Sequence, residues 1–140
     1  MKKIISIISF FLLISDKISA QEDVSIELLL PKDGVSCSDN CFVPIDTSTK
    51  VLKLRAFSSN DKNKYKITQG EISLYRKDRT INYTLFKSNN ILLSRLGHKE
   101  YGDILIIKIQ KVLRANEKNE ISTVERYYPK TITIPVDRLE

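Results

Sequence analysis

The two cysteines of the chain, Cys37 and Cys41, lie four positions apart between hydrophobic runs. A pair at this spacing could work as a redox dithiol or, together with a histidine, bind copper through two thiolates. Both roles need a thiol with a lowered pKa, usually at a helix N-terminus. Here Ser36, Asp39 and Asn40 favour a turn, and the aspartate disfavours a thiolate. The leading interpretation is a structural disulfide between Cys37 and Cys41, with thiol-disulfide or copper chemistry as the alternative.

His98, the one histidine, would have to serve any metal site or catalytic triad. It lies in a loop bracketed by Gly97 and Gly102, far along the chain from the cysteines. A lone loop histidine is more often exposed than a ligand, and the sequence has no Gly-x-Ser-x-Gly turn and no glycine-rich phosphate loop. We therefore expect no catalytic residues, metal or cofactor. The loop from His98 to Asp103, which includes Tyr101, is instead a predicted partner contact.

Two consecutive tyrosines, Tyr127 and Tyr128, follow Arg126 and precede Pro129. Neighbouring strand residues point to opposite faces, so one ring should pack in the core with its hydroxyl bonded near the rim, and the other should be exposed. An exposed tyrosine beside an arginine is typical of an interface anchor, although a strand-end cap is the alternative. The bond before Pro129 is a candidate for the cis form. We expect this corner to be a second partner contact.

The first twenty residues have the three parts of a signal peptide. Lys2 and Lys3 give a charged start, an apolar run extends from Ile4 to Ile14, and Ala20 offers a small residue at the cut. The run ends before Asp16, short of the ~20 residues of a spanning helix. A retained membrane anchor is the alternative. We expect cleavage near Ala20, a periplasmic or secreted product, and no stable insertion into a membrane.

Residues 21–140 are enough for one domain with a core of its own. The chain has 23 basic and 17 acidic side chains, and loss of the leader removes three lysines and one aspartate, which leaves a net charge of +4. These charges are interspersed, as in KNKYK and YRKDR, which is typical of solvated strand faces and turns. Nucleic-acid binding, which needs a concentrated basic stripe with stacking aromatics, is not expected.

Apolar and polar residues alternate in several short runs separated by turn-forming residues, which indicates strands with one face in water. A hairpin is predicted over Glu71 to Phe86, with Ile81, Tyr83 and Leu85 on one face. The segment from Ile91 to Leu96 fits either a strand or a helical turn. The other predicted strands are residues 24–30, 41–45, 51–57, 103–113, 121–128 and 131–136. Seven or eight such strands predict an all-β fold, a single antiparallel β-sandwich.

The strongest predicted strand, Asp103 to Leu113, is rich in β-branched residues and apolar on both faces at its start. This pattern places it in the middle of a sheet. Its inward residues are then Leu105, Ile107 and Ile109. Ile104 and Ile106 point the other way, and we expect something else to cover them.

Three segments, GEISLYRKDRTINY, LLSRLGHKEYGDILIIKIQKV and ERYYPKTITIPV, together resemble the final β-domain of the gliding-motility and type IX secretion protein family GldM. The shared order is a strand ending in basic residues, a leucine before a Gly-Asp pair, a long apolar strand, a loop, and a closing strand after proline. The similarity covers Gly70 to Val136 and leaves the cysteine pair outside. The matching positions are Leu96, Gly102, Asp103, Ile104, Ile106, Pro129, Ile132 and Ile134.

The resemblance implies an immunoglobulin-like, non-catalytic periplasmic module that contacts other proteins of an envelope machine. Family members begin with a membrane helix and carry several periplasmic domains, whereas this sequence predicts a cleavable leader and one domain. We therefore expect an exported binding module with envelope protein partners, and self-association is left open. Exposed edge strands would be the physical means of contact, since unpaired backbone groups can add a partner strand. A secreted inhibitor or binding protein is a further alternative.

Overall fold

The computed structural model describes residues 24–29, 36–37, 44–59 and 62–138, which form ten β-strands and one short 3-10 helix. The strands are β1 (Val24–Leu29), β2 (Ser36–Cys37), β3 (Val51–Phe57), β4 (Lys64–Arg76), β5 (Arg79–Phe86), β6 (Asn90–Leu92), β7 (Ile104–Ala115), β8 (Ile121–Thr123), β9 (Tyr127–Tyr128) and β10 (Thr131–Pro135). The helix, η1 (Leu93–Leu96), follows β6 directly. The predicted leader and Cys41 lie outside the described residues.

The strands form two five-stranded sheets. In the first sheet the order is β6-β3-β1, and the free side of β1 is shared by β2, which is antiparallel to it, and β9, which is parallel to it. In the second sheet the order is β5-β4-β7, and the free side of β7 is shared by β10 and β8. Each sheet is therefore four strands wide, with one edge divided between two short strands.

The two sheets bury their facing side chains in one apolar core, so the molecule is the β-sandwich that the alternation predicted. The expected inward residues of β7, Leu105, Ile107 and Ile109, are all buried. The core also contains Ile26, Leu28, Leu52 and Leu54 from the first sheet and Ile72, Leu74, Ile132 and Ile134 from the second. Alternation identified this core because each inward residue lies two positions from the next along its strand.

The sandwich has more strands than the seven or eight expected, and its pairing is not purely antiparallel. Four of the strands, β2, β6, β8 and β9, have only two or three residues, which is too short for alternation to reveal them as separate strands. β9 runs parallel to β1, and Ile45 forms an isolated parallel bridge with Val136. The segment from Ile91 to Leu96 contains both structures left open, part of β6 followed by η1.

The predicted hairpin over Glu71 to Phe86 is confirmed, because β4 and β5 pair from Gly70 and Phe86 to the turn, but strand β4 extends further back and pairs there with β7. Lys77 and Asp78 form its two-residue turn with φ of 49° and 62°, the left-handed conformations of a type I′ turn. β4 starts at Lys64 and not at Glu71. The first half was missed because alternating lysines and Gly70 resemble a loop in sequence.

Candidate protein-interaction surfaces

The corner formed by Arg126 to Pro129 is organised as the sequence predicted. Tyr127 is half-buried against the core, and its hydroxyl donates a hydrogen bond of 2.8 Å to the carbonyl of Ile109. Tyr128 points outward and is 63% exposed, and the bond from Tyr128 to Pro129 is cis. The carbonyl of Arg126 accepts a bond of 3.3 Å from the N–H of Val24 in β1.

The two tyrosines consequently have different roles. Burial raises the pKa of Tyr127, and the ammonium of Lys130 lies 5.6 Å from the centre of its ring. Tyr127 belongs to β9 of the first sheet and its hydroxyl bonds to Ile109 in β7 of the second, so this side chain connects the two sheets. Only Arg126 and Tyr128 remain exposed enough to meet a partner.

The loop from His98 to Asp103 is held by a buried carboxylate. Asp103 is 1% exposed and accepts two hydrogen bonds of 2.9 Å from Arg76, one at each carboxylate oxygen. It also accepts a bond of 2.7 Å from the N–H of Glu100 and so closes the turn that precedes β7. Arg76 donates a further bond of 3.2 Å to the carbonyl of His98. The loop is thus fastened to the end of β4.

These contacts change the ionisation of both charged groups. The hydrogen bonds from Arg76 hold the pKa of Asp103 below its usual value, and the same bonds raise the pKa of Arg76. Within the loop Lys99 is buried, and desolvation lowers its pKa. Tyr101 is 50% exposed, with the guanidinium of Arg138 at 5.1 Å from its ring centre.

The two predicted contact regions do not form one site. The corner directly precedes β10, while the loop meets the chain just after β10, where the N–H of Gly102 donates to the carbonyl of Val136 at 2.9 Å. A strand of five residues spans roughly 17 Å. The regions are therefore at opposite ends of β10 and would contact different parts of a partner.

An apolar surface that the sequence did not identify covers the outer side of the second sheet. We call it the outer face and define it by Tyr75, Tyr83, Leu85, Ile104 and Ile106. Of these residues, Tyr83 is 61%, Leu85 54% and Ile104 41% exposed. Ile104 was expected to be covered, and in the described part of the chain that expectation is wrong. Ile81, Tyr83 and Leu85 were predicted as a shared face, and all three are exposed.

The strand registers make the outer face continuous. One cross-strand row runs from Thr133 in β10 through Ile106 and Ser73 to Tyr83 in β5. The row above it contains Pro135, Ile104 and Tyr75, and the row below contains Lys108, Glu71 and Leu85. Ile104 and Tyr75 are therefore direct neighbours, and Tyr83 and Leu85 follow each other on one side of β5. Ser73 lies between Ile106 and Tyr83, and Glu71 lies beside Leu85.

A groove of about 360 Å³ lies where β5 faces β6 and η1. Leu85 and Leu92 supply exposed apolar lining, and Lys87 and Arg95 supply two positive charges. The described residues that line the groove include no carboxylate. The side-chain amide of Asn82 in β5 donates 3.2 Å to the carbonyl of Leu96 and so fixes the helix beside the groove.

The cysteine segment is only partly described. Cys37 lies in β2, opposite Leu28 of β1, and is half-buried against the core. It is not a free thiol, but Cys41 lies outside the described residues, and the bond between them stays a prediction. Among residues 24–29, 36–37, 44–59 and 62–138 no three potential ligands cluster as a metal site would require. No helix in those ranges is long and apolar enough to cross a membrane.

Comparison of the chain with protein-family models, curated proteins and solved structures found no match. The resemblance to the GldM family therefore stays an expectation from the sequence.

Proposed function

We propose that the protein is an exported, non-catalytic β-sandwich module that acts through protein-protein contacts in the cell envelope. The observation that carries this proposal is the outer face. The outward residues of a sandwich strand are ordinarily polar, because they face water. Here Tyr83, Leu85 and Ile104 form an exposed apolar surface, and exposed apolar patches mark interaction sites.

The composition of the outer face suits a protein partner. A large exposed aromatic ring, Tyr83, lies among aliphatic side chains, and tyrosine is enriched among residues that dominate binding energy. Glu71 and Lys108 border the apolar rows with charges. An apolar centre with a polar rim is the usual anatomy of an interface.

The compartment and the kind of partner come from the sequence. The predicted leader supports export, and a Cys37–Cys41 disulfide would suit an oxidising compartment. The resemblance to GldM suggests a partner in a gliding-motility or type IX secretion machine of the envelope. The outer face supports contact with a protein whether or not that protein belongs to a gliding-motility or type IX secretion machine.

Site-specific photo-crosslinking in the native cell envelope tests the proposal. A photoreactive residue replaces Tyr83, and a matched control replaces Lys118, which is exposed in the loop between β7 and β8, away from the outer face. We expect one partner band from position 83 and none from position 118. The same probe at Tyr101 and Tyr128 tests the two contact regions predicted from sequence. Equal labelling at positions 83 and 118 would contradict the proposal.

A substitution completes the test. Tyr83→Asp places a charge in the middle row of the outer face and should abolish co-purification of the crosslinked partner. Because Tyr83 is 61% exposed, its thermal unfolding should stay close to that of the natural chain. Retained co-purification in this variant would count against the outer face as the interface.

A further inference from the structure

We infer that the groove beside β5 binds an extended acidic segment of a partner protein, which adds to β5 as a further strand. This inference rests on the proposed function and specifies the partner. It uses the edge of β5 together with the groove formed with β6 and η1, a surface that borders the outer face and shares Leu85 with it.

The backbone of β5 is open to a new strand. Within the described part of the chain β5 pairs only with β4, so its eight residues form a sheet edge. The N–H of Tyr83 donates to the side chain of its neighbour Asn82 at 2.9 Å instead of to the ladder. Backbone groups alternate in direction along a strand, so the N–H of Leu85 also points away from β4. An outward N–H such as that of Leu85 is a template for strand addition, whereas the N–H of Tyr83 would first have to leave its bond to Asn82.

The charges of β5 disfavour a second copy of the same strand as the occupant. In an antiparallel pair of β5 strands centred on Tyr83, Arg79 of one copy would lie opposite Lys87 of the other. Both side chains are exposed cations, and like charges directly opposite each other destabilise a strand pair. The edge is thereby protected against self-association, while a strand of opposite charge is not repelled.

The groove selects for that opposite charge. Lys87 and Arg95 are both exposed in its lining. The nearby acidic residues of the hairpin, Glu71 and Asp78, are not in the lining.

Leu85 and Lys87 lie two positions apart and therefore on the same side of β5. The helix η1 lies on the side of Asn82, whose amide bonds to the carbonyl of Leu96. A partner strand with carboxylates at alternate positions would direct them toward Arg95 in η1. Its intervening apolar residues, on the opposite side of the strand, would meet Leu85.

Peptide binding to the purified mature chain tests this inference. The probe is an acetylated octapeptide of alternating glutamate and valine, and the matched control has lysine in place of each glutamate. We expect the glutamate peptide to bind about tenfold tighter, and added salt to weaken its binding. Backbone amide shifts in NMR spectra should change along β5 and η1. Equal affinity for the two peptides, or shift changes confined to β7 and β10, would overturn the inference.

Two pairs of variants separate strand addition from charge attraction. Leu85→Pro removes the outward N–H and should lose most of the binding that Leu85→Ala retains. The proline variant should still fold, because proline is tolerated at a strand edge where its nitrogen faces solvent. Arg95→Glu should weaken binding of the glutamate peptide, whereas Lys118→Glu, with the same change of charge, should not. If the proline variant does not fold, the amide shift changes along β5 still test strand addition, and the Arg95 and Lys118 pair tests the charge attraction.

Failure of this inference can be distinguished from failure of the proposed function. A partner crosslinked at Tyr83 without any peptide binding overturns strand addition and leaves the binding module intact. Peptide binding at β5 without an envelope partner supports the groove and counts against the proposed function. Formation of a concentration-dependent dimer that the glutamate peptide cannot dissociate would overturn the choice of an acidic partner.

Discussion

Asp103 is the residue on which the His98–Asp103 loop depends. Its carboxylate is buried and joins Arg76 at the end of β4 to the N–H of Glu100. Asp103→Ala leaves these donors without their acceptor, which costs about 1–3 kcal/mol of stability. Denaturant unfolding should therefore show a lower midpoint. Glu100→Gln is the matched control, because the Glu100 side chain is 54% exposed and its loss should change little.

The pH dependence of stability gives a second measure of the same residue. The pKa of Asp103 is lowered in the folded chain, mainly by the hydrogen bonds from Arg76. The stabilisation is therefore complete above the ordinary aspartate pKa of about 3.9 and is lost as the pH falls through the lower folded value. In Asp103→Asn this part of the acid sensitivity should disappear. If the difference in unfolding free energy between the natural chain and Asp103→Asn stayed the same from neutral to strongly acid pH, the prediction would be contradicted.

Lys99 provides a residue whose removal should stabilise the protein. The side chain is buried, and desolvation lowers its pKa, so the folded state bears a cost for holding the charge. That cost is complete at pH below the folded pKa and decreases from there until it is lost near the ordinary lysine pKa of about 10.4. Lys99→Met should raise the free energy of unfolding at neutral pH, and with it the melting temperature. The gain should be less than about 1 kcal/mol, because the ammonium keeps some access to water. Lys118→Met, at an exposed site, should have no effect.

At the scale of elements, β4 and β5 are locked together by a glycine and an aromatic ring. Gly70 is paired with Phe86, and a Cβ added to Gly70 would lie 2.1 Å from Cζ of the Phe86 ring. Gly70→Ala therefore overfills the site and should cost about 1–3 kcal/mol in chemical unfolding. Phe86 is itself buried in the core, so the ring cannot simply swing into solvent.

A double-mutant cycle identifies the ring as the cause. Phe86→Leu alone removes apolar contacts and destabilises the hairpin. In a Gly70→Ala and Phe86→Leu double variant, the smaller side chain leaves room for the added methyl, so the combined loss should be smaller than the sum of the two single losses. Strict additivity would show that the glycine is needed for another reason.

The elements also show what a sequence can and cannot predict. The β4–β5 turn and the buried side of β7 followed from local signals, namely turn residues and alternation. The pairing of Arg76 with Asp103 did not, because its partners lie 27 positions apart and Arg76 belongs to a basic run that resembles a solvated turn. The outer face was missed for a related reason. Alternation shows which residues share a face, but not whether another layer covers it, as Ile104 demonstrates.

At the scale of the whole molecule, the segment between β8 and β10 passes from one sheet to the other and back. Val124 still bonds to Val112 of the second sheet, β9 then joins β1 of the first sheet, and Lys130 returns to accept a bond from Ile109 at 2.8 Å. Among the described residues, the part of β7 between Ile109 and Val112 therefore has no strand paired with it on this side. The Tyr127 hydroxyl bonds the Ile109 carbonyl at this gap and so connects the two sheets.

Removing that hydroxyl should weaken the whole sandwich. Tyr127→Phe keeps the ring but leaves the half-buried Ile109 carbonyl without its donor, which costs about 1 kcal/mol. The natural chain should also lose stability above about pH 10. The pKa of Tyr127 is raised in the folded state, which favours the neutral hydroxyl there. The stability that depends on this neutral form is lost as the pH rises through the folded pKa. The phenylalanine variant lacks this part of the alkaline loss, which unfolding measured as a function of pH would show.

Tyr128→Ala is the matched control, and it also distinguishes structure from binding at this corner. Its side chain is 63% exposed, so the stability of this variant should remain within about 0.5 kcal/mol of the natural chain. If the corner contacts a partner, Tyr128→Ala should weaken co-purification, while Tyr127→Phe should lower stability with little effect on binding. The reverse pattern, with stability lost in Tyr128→Ala and unchanged in Tyr127→Phe, would show that the connection between the sheets does not depend on the Tyr127 hydroxyl.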